Sequence, residues 1–162
     1  MAVPIAISRE HVRQELNLAQ DLASTLGWKI ESDLEKLTIK VTMRAHNDDK
    51  YILIGQFDDY KEKPPLLEFV DPDTGQTSTP HAYPKCRDSL FHGNGPCICA
   101  PFSRKAYKDY RDGAPHGDWK FVDWMSAKAS NVDWSNYNTL PAMLGLIQTR
   151  LSRPDLYEGR MG

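Results

Sequence analysis

The sequence predicts an α+β fold: one long amphipathic helix, an antiparallel meander of strands, then helical packing near the C-terminus. Three observations carry this. Val12, Leu16, Ala19, Leu22, Ala23 and Leu26 recur at helical spacing. Leu37, Ile39, Val41 and Met43 then alternate with Thr38, Lys40 and Thr42, the period-2 rhythm of a half-buried strand. A third is the face formed by Leu140, Met143, Leu144, Ile147 and Leu151, with Pro154 to stop the helix.

Taken in order, Ser8 reads as the N-cap of the first helix, with Glu10 and His11 in its first turn and Gly27 just past its end. Trp28 and Ile30 open the strand region. His46–Lys50 is a polar turn, Tyr51–Phe57 a more buried strand, and Leu66, Leu67, Phe69 and Val70 a further one. Asp71-Pro72-Asp73-Thr74-Gly75 has turn chemistry. From about Gly75 to Asn94 the chain reads as loop, and Gly95–Pro101 as a short extended segment bounded by Gly and Pro. Thr139 or Asn138 is placed to cap the last helix, and the Glu158–Gly162 tail reads as disordered.

The 162 residues suit a single domain, 1–162, with a real core. A net charge of -2 and the lack of a long basic run exclude a nucleic-acid partner as the expectation. Arg104, Lys105, Lys108 and Arg111 do interleave with Tyr107 and Tyr110, but Asp109 and Asp112 dilute them, which favours a solvated or protein-docking face. No apolar stretch approaches a membrane span, and charges interrupt the first 30 residues, so neither membrane insertion nor a signal peptide is expected. Three cysteines, all within residues 86–99, do not form a secreted disulfide scaffold, and a reducing cytoplasm is the expected home.

Four segments, in order, are similar to the ubiquitin-conjugating enzyme (UBC) family: the helix-then-meander start; Tyr60-Lys61-Glu62-Lys63-Pro64-Pro65-Leu66-Leu67-Glu68-Phe69, like its Tyr-Pro-x-x-Pro-Pro element; His92-Gly93-Asn94 followed by Ile98-Cys99, like its His-Pro-Asn and Ile-Cys-Leu motifs; and Trp134-Ser135 with the helix up to Pro154. Lys61 and Gly93 replace prolines of those motifs, Asn94 lies only five residues before Cys99, and the 100–133 segment is enlarged. These departures look more like bacterial relatives of antiphage operons, which act on a ubiquitin-like modifier or on a nucleotidyltransferase of a cyclic-oligonucleotide signalling system (CBASS).

The resemblance implies a transferase that holds a protein C-terminus as a thioester on Cys99 and passes it to an amine. Asn94 would then donate to the oxyanion, and His92 would brace the loop. A separate activating enzyme would be a partner, and no cofactor or metal is expected in the carrier itself. A thiolate nucleophile and an oxyanion donor are what such chemistry requires. Cys97, two residues away, is the alternative nucleophile. Two other readings stay open: an inactive UBC-fold binding module, and an interaction domain stapled by zinc through Cys86, His92, Cys97 and Cys99. His116-Gly117-Asp118-Trp119 either shapes the cleft beside Cys99 or is a polar turn followed by a packing tryptophan.

Overall fold

A computed structural model describes residues 2–110, 114–118, 124–125, 128–129 and 132–162. Arg111, Asp112 and Trp119, considered above, lie outside the described residues. Helix α1 spans Ile5–Leu26 and buries Val12, Leu16 and Ala19. Gly27 ends it in the left-handed region (φ 76°), its N–H donating to the Ala23 carbonyl, a conformation that favours glycine. Ser8 is not the cap. The helix starts a turn earlier, after Pro4, and the buried Ser8 hydroxyl donates instead to the Tyr60 carbonyl at 2.9 Å. Leu22 and Leu26 share the helical period, yet they are 40% and 44% exposed.

Strands β1 (Lys29–Asp33), β2 (Thr38–Arg44), β3 (Lys50–Gln56) and β4 (Leu66–Val70) form a four-stranded antiparallel meander in sequence order. Ile39, Val41 and Met43 of β2 point inward, opposite Gly55, Leu53 and Tyr51 of β3. Alternation thus delivers one apolar face to the core, as the period-2 pattern requires. Helix α2 (Leu140–Ser152) adds Leu140, Met143, Leu144, Ile147 and Leu151 to that core.

One carboxylate fastens three of these segments. Glu15 of α1 accepts from the Tyr60 hydroxyl and from the Leu140 backbone N–H, both at 2.7 Å, and pairs with Lys61 Nζ at 2.8 Å. The Leu140 N–H is one of the orphan donors of the α2 N-terminus, so Glu15 supplies the capping that the Thr139 side chain does not. Trp28 Nε1 similarly donates to Gln148 of α2.

Smaller strands complete the chain: β5 (Pro84–Cys86), β6 (Phe91–His92), β7 (Cys97–Ile98), β8 (Lys128–Ala129) and β9 (Val132–Asp133). The tail is ordered, contrary to the expectation of disorder. Strand β10 (Tyr157–Arg160) pairs antiparallel with β5. Arg160 explains why: its guanidinium lies 4.1 Å from the Tyr51 ring centroid and donates to the Lys50 and His81 carbonyls. The Tyr157 and Tyr51 hydroxyls share a hydrogen bond of 2.7 Å.

Candidate functional site

Strands β6 and β7 form a hairpin in which Phe91 faces Ile98 and His92 faces Cys97. One residue beyond β7, the Cys99 N–H donates to the Leu90 carbonyl at 2.6 Å. The two thiols differ in exposure although residues two apart in an extended segment share a face. Cys97 is fully buried, and Cys99 is half-buried, opening into a cleft of about 320 Å³. The walls are Leu90, Pro101, Val132, Trp134 and His116. Asp88 and Arg150 complete them as an ion pair at 2.6 Å. Cys86 is half-buried on β5 and does not line this cleft.

His116 Nε2 lies 3.6 Å from Cys99 Sγ. Its position is set by backbone ties: the His116 N–H donates to Ala106 O at 2.8 Å, and the Lys108 N–H to Gly117 O at 3.1 Å. The ring leans on Tyr107, centroids 5.3 Å apart. Tyr107 in turn donates its hydroxyl to Pro101 O at 2.7 Å, two residues past the cysteine. Thiol and imidazole therefore hang from one short frame. Burial, with a smaller contribution from Cys97, pushes the Cys99 thiol up to about 11. Cys86 rises to about 12, again mainly from burial and then from Asp88.

The other residues singled out in the sequence take different places. Asn94 is exposed in the turn that closes the β6–β7 hairpin, at the end away from Cys99, and does not line the cleft. His92 is half-buried on β6, also off the cleft. Cys86, His92, Cys97 and Cys99 do not gather. Among the described residues, the groups near enough to share an ion are Asp71, Asp73 and His81, with ligand atoms within 4.8 Å. The Asp71 carboxylate already accepts from two backbone N–H groups of its own turn, which hold it below the usual range.

The basic, aromatic run is largely structural. Arg104 forks onto Asp58, and buried Lys105 meets Glu68 and Ser78, both at 2.8 Å. A wider, shallower depression of about 560 Å³ is lined in part by His81, Lys85, Gly93 and Met161. Among the described residues that line it there is no cysteine.

No family model, curated protein or solved structure matches this chain. Its function must be argued from the site. Among the described residues, no helix is long and apolar enough to cross a membrane.

The sequence offered two readings of the segment that holds His116, one shaping the cleft beside Cys99 and one a polar turn, and His116 does line that cleft. Seventeen residues separate it from Cys99, and no spacing rule joins a cysteine to a histidine across such a gap. The available signal was weaker: an imidazole inside the enlarged segment that follows the cysteine.

Proposed function

We propose that the chain is a thiol-dependent acyl carrier: Cys99 takes a protein C-terminus as a thioester and gives it to an amine. The observation that carries this reading is Cys99, half-buried in a cleft with mixed apolar and charged walls, with an imidazole 3.6 Å from its sulfur. A thiol near 11 leaves a thioester more reluctantly than one near 8.5. The apolar walls limit water. The second property favours holding the acyl group for an incoming amine over hydrolysing it; the first slows attack by either.

The helix, the four-stranded meander and the C-terminal helix occur in the order that the ubiquitin-conjugating resemblance implies. Within the proposal, the carried group is the C-terminus of a ubiquitin-like modifier or of a CBASS nucleotidyltransferase, in bacterial antiphage defence. A separate activating enzyme supplies the adenylation chemistry. Cys99 carries the proposal without a role for Asn94 or His92.

The test needs no activating enzyme. A short peptide ending in a glycyl thioester of a small thiol is mixed with the protein, and intact mass is read without reductant. Wild type and Cys86→Ala should gain the peptidyl mass, lose it to added thiol, and transfer it to free lysine. Cys99→Ala should gain nothing. An equal adduct on Cys99→Ala, or none on wild type, refutes the proposal. Adduct loss to water faster than to amine would mark a hydrolase instead.

A further inference from the structure

We infer that His116 is a catalytic residue that carries the proton for Cys99, both when the thioester forms and when the amine resolves it. The inference rests on the acyl-carrier reading above. On loading, the Cys99 thiol proton passes to His116 Nε2 as the Sγ–C bond forms. The tetrahedral adduct then collapses, the donor's own C–S bond breaks, and His116 returns the proton to the departing thiolate. On release, the amine nitrogen bonds to the carbonyl carbon and its proton goes to Nε2. The C–Sγ bond breaks and that proton passes to Cys99 Sγ. Nothing is oxidised or reduced.

Three observations support this. First, the reach is right: Nε2 is 3.6 Å from Sγ, and catalytic hydrogen bonds are often long until substrate tightens them. Second, the imidazole is already placed. Its backbone is tied to Ala106, its ring rests on Tyr107, and Tyr107 is bonded to Pro101 on the cysteine's own segment. A base held this way loses little entropy on reaction.

Third, the thiol needs help. With burial raising Cys99 to about 11, only about one molecule in ten thousand is thiolate at pH 7. The same burial makes Cys99 a poor leaving group when the amine attacks, unless a proton arrives as the bond breaks. One imidazole positioned at Sγ answers both needs. Cys99, Asp88 and Arg150 line the same cleft, and the Tyr107 ring lies against the imidazole. Asp88 and Arg150 pair with one another at 2.6 Å.

Charging by the glycyl-peptide thioester would be followed by mass spectrometry from pH 5.5 to 9 for wild type, His116→Gln, His116→Ala and a distant control, His81→Ala. Wild type and the control should charge alike, with an inflection in the imidazole range. General base catalysis contributes about 10²–10⁴-fold, so His116→Gln should charge at least about 100-fold slower and lose the inflection. Added imidazole should speed His116→Ala and leave wild type unchanged. Circular dichroism melts confirm folding, and if His116→Ala is unstable, the His116→Gln profile decides. Wild-type charging matched within twofold by His116→Gln, with the same inflection, overturns the inference and leaves the carrier reading standing. A wild type that never charges overturns the carrier reading itself.

Discussion

The sharpest consequence of the site is that Cys99 should alkylate slowly at neutral pH. Burial penalises the thiolate, so its pKa moves up, to about 11, and the reactive form accumulates only in strong base. At pH 7.5 the thiolate fraction is then about 300-fold below that of free cysteine near 8.5. A more basic thiolate is also a better nucleophile, and a Brønsted slope near 0.45 returns about 13-fold. The net expectation is a second-order rate with iodoacetamide about 20-fold below free cysteine. The rate should climb about tenfold per pH unit up to about pH 10. Peptide mapping after timed quenching separates Cys99 from Cys86, which should react more slowly still because its thiol lies near 12. Cys97 should remain unmodified until the protein unfolds, since none of it is exposed. A Cys99 rate that levels off at or below pH 8.5 would refute the reasoning. It would mean that the imidazole holds a preformed thiolate.

Three further outcomes follow from the packing. Glu15→Gln leaves Lys61 without its carboxylate and should cost about 3 kcal/mol, lowering Tm by about 6–12 °C. Thermal melts check this, and Lys61→Met in the same background should recover part of the loss; strict additivity of the two changes would refute the coupling. Gly55→Ala places a Cβ 2.8 Å from the Phe57 ring and 3.0 Å from both Ile39 and Leu67. It should destabilise by about 1–3 kcal/mol in urea titrations through overpacking, and an unchanged midpoint would be inconsistent with that contact. Arg160→Ala removes the cation over Tyr51 and two carbonyl contacts. Amide exchange at Tyr157–Arg160 should then quicken ahead of the rest of the chain, whereas uniform protection would show that β10 is held by other contacts.

How much of this was legible depends on how local the cause was. The meander was readable because alternation in Ile39, Val41 and Met43 is itself the inward face. Helix α1 was readable for the same reason, except at its start. Ser8 has the chemistry of a cap, but its hydroxyl is claimed by Tyr60, fifty-two residues away. Strand β10 was invisible because its partner, β5, has three residues and lies about seventy positions earlier. The cleft shows the same limit. Cys99 stood out through its immediate neighbours, but alternation, which puts residues two apart on one face, does not account for Cys97 being buried while Cys99 opens into the cleft. His116 reaches the thiol only after Tyr107, Ala106 and Lys108 have folded its segment back.

The Glu15 carboxylate also sets a timetable for synthesis. Its donors at Tyr60 and Leu140 lie 45 and 125 residues downstream, and Trp28 likewise awaits Gln148, 120 residues on. At about 5–20 residues per second, a ribosome needs roughly 6–25 s to get from Glu15 to Leu140. Until then the carboxylate has only Tyr60 and Lys61 to meet, and the sheet lacks α2. The nascent chain must therefore stay soluble with α1 undocked from α2 until Leu140 has been made.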